Sequence, residues 1–96
     1  MKTTIQHLLA QITLLLSENN EQAWAKRFEF YSRQLDVDYD TSLSEIKGVF
    51  GGAGSFNDLV LHNNQQMLIK ENNELNALQD QLYDALTKEI INRRSY

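Results

Sequence analysis

The chain has 96 residues, a formal net charge of −4 and no cysteine. This length favours a single domain, residues 1–96, with one binding surface rather than a deep cleft between two lobes. The lack of cysteine excludes a disulfide framework and a zinc–cysteine site, and it is typical of a reducing compartment. No apolar run is long enough to cross a bilayer, and the amino terminus lacks a signal-peptide pattern, so we expect a soluble cytoplasmic protein without a membrane partner.

The first half of the chain predicts two amphipathic helices. Apolar residues recur at helical spacing over residues 5–16, and polar residues 17–20 end that pattern. A second helix is predicted over about residues 20–35, because aromatic side chains there share one face. Those aromatic residues are Trp24, Phe28 and Tyr31.

A third helix is predicted after a short acidic stretch, residues 36–40. Ser42 and Glu45 have the spacing of a capping box, which marks the beginning of a helix. Gly51 has the position of a glycine C-cap, so we expect the helix to end there. All four glycines of the chain lie between residues 48 and 54. A structural turn is therefore predicted, formed by Gly51, Gly52, Gly54 and Ser55.

The segment after the glycines decides the fold class. Two apolar triplets, residues 59–61 and 67–69, flank an asparagine-containing stretch that suits a tight turn. One continuous helix over residues 57–94 is the alternative. We interpret residues 58–70 as a β-hairpin, followed by a last helix from Asn73 to about Arg93. The predicted fold is α+β and mainly α, with four helices and one hairpin between the third and the fourth.

The negative charge is concentrated in one segment. Residues 36–58 carry five acidic side chains and one basic side chain, whereas the rest of the chain is close to neutral. Such a segment would repel nucleic acid and attract a basic protein. We therefore expect a protein partner and no nucleic-acid ligand.

No motif in the chain predicts a metal, a cofactor or a catalytic site. The spacing of Asp36, Asp38 and Asp40 matches the start of a calcium loop. The glycine and the glutamate that such a loop requires are replaced by Thr41 and Lys47, so we expect no metal there.

Ser55 is the candidate nucleophile, but it has no histidine in a sequence context that would mark a nucleophile. A role in a turn is the simpler interpretation. Two aromatic residues, Tyr39 and Phe56, lie outside the predicted helices beside acidic residues. We expect both to be exposed anchors for a partner.

The run from Gly51 to Leu61, together with residues 72–75 and 82–83, resembles a family of small bacterial proteins with the core G-G-x-G-S-F-N-D-L-V-L. The resemblance covers residues 43 to about 90. Such proteins resemble immunity proteins, the cytosolic inhibitors that neutralise toxins of polymorphic or contact-dependent systems. The resemblance implies a bacterial cytosolic setting and a binding function, and it supplies no catalytic residues.

The sequence therefore predicts an immunity protein that binds a cognate toxin domain, for which a nuclease is one candidate, and that has no enzymatic activity or cofactor. A homodimeric scaffold or regulatory module is the alternative, and a small hydrolase using Ser55, Asn57 or Asp58 is the third. The residues predicted to contact the partner are Asp36, Asp38, Tyr39, Asp40, Glu45, Phe56, Asn57 and Asp58.

Overall fold

The computed structural model describes residues 1–51 and 54–94. In chain order the elements are α1 (Lys2–Glu18), α2 (Gln22–Gln34), α3 (Tyr39–Lys47), a 3₁₀ turn (Phe56–Asp58), β1 (His62–Asn63), β2 (Gln66–Met67) and α4 (Ile69–Arg94). The predicted fold class is confirmed: the fold is mainly α, and a two-stranded antiparallel hairpin lies between the third and fourth helices. No helix in the described part of the chain is long and apolar enough to span a membrane.

The core lies between α1, α2 and α4. Helix α1 packs against both α2 and α4, and α3 packs mainly against α4. The predicted apolar stripe of α1 is fully or almost fully buried, and so are Phe28 and Tyr31 of α2. Burial of such stripes at helical spacing supplies the main drive to fold, because each large apolar side chain contributes roughly 1.5–3 kcal/mol when it leaves water. The stripes were therefore good predictors of this core.

Helix α3 begins and ends earlier than the sequence pattern predicted. Its N-cap is Asp38, whose side chain accepts a hydrogen bond from the Thr41 amide at 3.2 Å. Ser42 lies inside the helix and is buried, so the capping-box prediction was wrong. The helix ends at Lys47, followed by Gly48 in a right-handed conformation.

The predicted glycine turn is present in its described part. Gly51 and Gly54 have φ angles of 136° and 77°, in the region that a Cβ atom disfavours. Gly52, which we predicted to belong to the same turn, lies outside the described residues. Gly51 was wrong as a helix C-cap, because α3 ends four residues before it.

The hairpin is shorter than predicted, and its paired residues lie directly beside the turn. Its strands pair His62 with Met67 and Asn63 with Gln66, whereas the apolar triplets that we expected to pair lie largely outside the ladder. Asn64 and Gln65 form the two-residue loop, and both have positive φ angles. Two such residues are what a type I′ hairpin turn requires, and its twist suits two antiparallel strands.

Helix α4 begins at Ile69, four residues before the predicted start at Asn73. Asn72 lies buried in the first turn, where its side chain accepts from the Leu61 amide at 2.8 Å and donates to the carbonyls of Leu61 at 3.0 Å and Leu68 at 2.7 Å. This side chain joins both ends of the hairpin to α4, and it fixes the position at which the hairpin meets the helix.

Candidate binding groove

The glycine loop, which we define as the described residues 48–51 and 54–58, is anchored by Phe56. This ring is fully buried and contacts the rings of Trp24, Phe28 and Phe50, with centroids 4.6–5.6 Å apart. Gln79 of α4 is also buried, and its amide nitrogen donates to the Phe56 carbonyl at 2.8 Å. The prediction that Phe56 is an exposed anchor was wrong, because the ring faces the core and holds the loop against α4.

Two polar side chains of the glycine loop accept hydrogen bonds from its own backbone. Asn57 Oδ1 accepts from the Gly51 amide at 3.1 Å and from the Ser55 hydroxyl at 2.5 Å. Asp58 Oδ2 accepts from the Gly54 amide at 3.0 Å. These bonds satisfy amides that a tight loop leaves without helical partners. Asn57 and Asp58 were predicted to contact a partner, and the structure assigns them a local structural role while leaving them exposed.

A groove of about 440 Å³ lies between the glycine loop and α4. This volume is within the usual range for sites that take a small molecule or a single side chain. Its walls carry two aromatic rings, one of them a phenol, together with two carboxylates, two amide side chains and one aliphatic hydroxyl. The residues that supply these groups are Phe50, Asn57, Gln79, Asp80, Tyr83, Asp84 and Thr87, with Gly51 at the edge.

The charged side of the groove comes from α4. Asp80 is exposed and makes no ion pair with any residue in the described part of the chain. Asp84 pairs with Lys88 one turn later at 2.9 Å, but both side chains are 64% exposed. An exposed ion pair of this kind contributes little to stability, and water competes readily for both of its charged groups. Two carboxylates are therefore available at this surface.

The aromatic side of the groove is formed by Phe50 and Tyr83. The two rings meet edge to face, with centroids 5.3 Å apart. Tyr83 is 44% exposed, and Lys47 Nζ lies 5.5 Å from its centroid. The Thr87 hydroxyl oxygen is buried and has no hydrogen-bond partner within residues 1–51 and 54–94. The groove thus combines carboxylates, aromatic faces and an unused acceptor.

A second, shallower groove brings Ser55, Asp58 and His62 to one surface beside Trp24. His62 follows Ser55 by seven positions and Asp58 by four, so the three residues are also close in the sequence. The Ser55 hydroxyl donates to Asn57, and no hydrogen bond joins it to His62 in the described part of the chain. The geometry therefore lacks the nucleophile–base contact that the hydrolase hypothesis requires.

The acidic segment predicted to meet a partner is largely used inside the fold. Asp36 pairs with Lys2 of α1 at 2.7 Å. Asp40 accepts two hydrogen bonds from the Arg93 guanidinium on α4, and Asp38 caps α3. Of the predicted carboxylates, Glu45 is exposed and has no ion pair in the described residues. Reversing the charges of Asp36, Asp38 and Asp40 would therefore disturb the fold as well as the surface.

Tyr39 lies at the junction of α3 and α4 and is only partly exposed. Its hydroxyl donates to Glu89 at 2.5 Å, and the Arg93 guanidinium lies 4.8 Å from its ring centroid. Burial, followed by the hydrogen bond to Glu89, raises the pKa of Tyr39 above its usual value. The Arg93 guanidinium beside Asp40 lowers the pKa of that carboxyl, and Asp40 in turn raises the pKa of Arg93. These contacts make Tyr39 a structural residue rather than a free anchor.

We expect Tyr39 to make the protein less stable in alkali. Because the folded-state pKa lies above the usual value of 10.0, the unfolded chain loses the phenolic proton first as the pH rises. The contribution of Tyr39 is complete below pH 10 and is lost as the pH rises toward the folded-state pKa. Urea unfolding at about pH 9 and about pH 11 should show a smaller loss of stability in Tyr39→Phe than in the parent.

Glu89→Gln is the matched variant, since it keeps the hydrogen-bond acceptor and removes the charge that holds the phenol neutral. Its alkaline loss should lie between those of the parent and Tyr39→Phe. Equal losses in all three proteins would contradict the assigned role of the Tyr39 hydroxyl.

Within the described residues, no group of three or more histidine, cysteine, aspartate or glutamate side chains has a geometry that could hold a metal ion. The groups that the groove does contain suit noncovalent recognition of a positive charge. Sequence reasoning missed Asp80, Tyr83 and Asp84, although their spacing places them on one side of a predicted helix. The missing information was the position of the glycine loop over that side of α4.

Fold and groove together define a small, mainly helical α+β domain with an acidic and aromatic surface groove. Residues 17–69, more than half of the chain, match the family described as Domain of unknown function (DUF6966), and the chain belongs to that family. No curated protein and no solved structure matches the chain. The matched segment contains the glycine-loop wall of the groove and ends at the first residue of α4.

Proposed function

We propose that this chain is a small bacterial cytoplasmic binding protein that neutralises a toxin domain by direct contact. The groove between the glycine loop and α4 is the observation that carries this proposal. It presents three side chains on one surface: Asp80, which has no ion pair among the described residues, the weakly paired Asp84 and the half-exposed Tyr83. Its chemistry complements a basic protein, and the immunity resemblance of the sequence supports an inhibitory role for that contact.

The charge distribution supports the same partner chemistry. The net charge of −4 attracts a basic surface from a distance, while the groove provides contacts once the two proteins meet. A nuclease domain carries basic residues where it binds phosphates, so occupying that region would block its substrate. Glu45 remains a candidate for the outer part of this acidic surface.

The test is binding to the protein encoded beside this gene, which the proposal expects to contain a toxin domain. Coexpression should restore growth of cells that produce the domain, and the purified proteins should form a complex. Raising the salt concentration from low to physiological values should slow association several-fold, because screening weakens steering. Absence of both protection and a complex would overturn the proposal.

Two charge reversals separate local contact from long-range attraction. Asp80→Lys and Glu18→Lys change the net charge equally, but Glu18 ends α1 and does not line the groove. Asp80→Lys should shorten the lifetime of the complex far more than Glu18→Lys does. Equal effects would mean that partner contact lies elsewhere on the protein.

A homodimeric scaffold is the second candidate, and the hairpin favours it. Val60, Met67 and Ile69 are exposed near the hairpin by 39%, 59% and 72%. The sheet has only two strands in the described residues, so both of its edges can accept another strand. Sedimentation equilibrium should then show a dimer that Met67→Lys dissociates, and a monomer at all concentrations would exclude this candidate.

A further inference from the structure

We propose that the groove between the glycine loop and α4 binds an arginine side chain of the partner. This inference deepens the proposed function and rests on it for the identity of the partner as a basic protein. The groove has the three components that a guanidinium uses: carboxylates, aromatic faces and further hydrogen-bond acceptors.

The carboxylates supply the charge. Asp80 and Asp84 lie one turn apart on α4, and both line the groove. Asp80 has no cationic partner in the described part of the chain, and the exposed Lys88 is the only one that Asp84 has there. A guanidinium bonds a carboxylate through two parallel N–H groups, a geometry that an ammonium cannot reproduce.

The aromatic walls supply a flat surface. Phe50 and Tyr83 stand edge to face, and both line the groove. Lys47 Nζ lies 5.5 Å from the Tyr83 centroid, so this ring already attracts a cation within its own chain. Planar guanidinium stacks on such rings, and this contact strengthens binding where water is partly excluded.

The Thr87 hydroxyl is an independent sign that the groove is incomplete. Its oxygen is buried and has no partner in the described residues, and Thr87 is one of the residues that line the groove. An unsatisfied buried polar atom destabilises the fold, and a donor that entered the groove would remove this cost. Guanidinium has five N–H donors in a fork, enough to reach this oxygen as well as a carboxylate.

The preference for arginine over lysine follows from the two lysines at the rim. Lys47 and Lys88 contact Tyr83 and Asp84 from within the chain, so an incoming ammonium would repeat contacts that already exist. Guanidinium adds the bidentate pair with Asp80, the stacking contact and the bond to Thr87. The additional affinity is therefore expected for the planar, forked guanidinium and not for an ammonium group.

The experiment is an NMR titration of the full-length protein labelled with nitrogen-15, using three blocked amino acids as probes. N-acetyl-arginine amide should cause saturable shifts of the amides of Gly51, Asn57, Asp80 and Asp84, with a dissociation constant of the order of millimolar. N-acetyl-lysine amide should bind at least about threefold more weakly, since it lacks the fork. N-acetyl-citrulline amide, similar in shape but uncharged, should cause no saturable shifts.

Matched variants locate the site. Asp80→Asn should weaken binding of the arginine probe by about fivefold or more, because one charged pair is lost. Glu74→Gln removes an exposed charge from the same helix outside the groove and should leave the affinity unchanged. The amide spectra also show whether each variant is folded. Absence of saturable shifts, or equal affinity of the parent and Asp80→Asn, overturns the proposal.

Parallel titrations with the toxin domain separate this inference from the proposed function. If the domain binds the parent and Asp80→Asn equally, the protein is an inhibitor that does not use the groove, and the arginine inference fails. If the probe binds in the groove while the domain fails to bind or to be neutralised, the proposed function fails and the arginine site stands.

Discussion

Phe56→Ala should lower the free energy of unfolding by about 3–5 kcal/mol, the usual cost of removing a buried aromatic ring. The ring is fully buried and contacts Trp24, Phe28 and Phe50. Its removal leaves a cavity where the glycine loop meets the core. A domain of this size has a total stability of about 5–14 kcal/mol, so the variant would lose a large share of it.

Urea unfolding followed by circular dichroism measures this loss, and Phe30→Ala is the control. Phe30 is 47% exposed on α2, so its truncation should cost less than about 1 kcal/mol. A Phe56→Ala variant as stable as the Phe30→Ala variant would show that the ring does not hold the loop. In a folded Phe56→Ala protein, the arginine probe should also lose affinity, since one wall of the groove is no longer fixed.

The helices were predictable because their information is local. Residues at helical spacing must share a face, and an apolar face of sufficient length has to be buried. This argument identified α1 and α2, whose buried residues lie at that spacing. The glycine turn was predictable for a different local reason. Glycine adopts positive φ angles without steric cost, and Gly51 and Gly54 have such angles.

Phe56 was misjudged because its neighbours are polar. A ring among Ser55, Asn57 and Asp58 suggests exposure, but those three side chains bond within the glycine loop and leave the ring free to turn inward. The inward direction depends on the space between α2 and α4, which no local pattern describes. The start of α3 was predicted wrongly for a related reason. Aspartate and serine are both good N-caps, and only tertiary packing selects Asp38 over Ser42.

The groove could be predicted only in part. The spacing of Asp80, Tyr83 and Asp84 is visible in the sequence, but their exposure depends on where the glycine loop crosses α4. The acidic segment shows the opposite error. Its charge is evident in the sequence, yet Lys2 and Arg93, which pair with Asp36 and Asp40, come from distant parts of the chain.

Asn72→Ala should be the most damaging polar substitution, with a loss of about 2–3 kcal/mol in the free energy of unfolding. The asparagine amide is buried and bonds the Leu61 amide and the carbonyls of Leu61 and Leu68. The Leu61 carbonyl keeps a backbone bond from Leu68 at 3.1 Å. The Leu61 amide, in contrast, would be left buried without an acceptor, and this orphaned donor dominates the cost.

Hydrogen exchange at the Leu61 amide measures the effect directly. Its protection should fall by about 30- to 140-fold in Asn72→Ala, the rate equivalent of the lost free energy. Asn73→Ala is the matched control, because the next residue on α4 is exposed and helical, and its side chain has no assigned hydrogen bond in the described residues. If the Leu61 amide is equally protected in both variants, backbone pairing alone holds the hairpin against α4, and the Asn72 hydrogen bonds are not needed. If Asn72→Ala loses protection while Asn73→Ala does not, one buried amide joins the hairpin to α4.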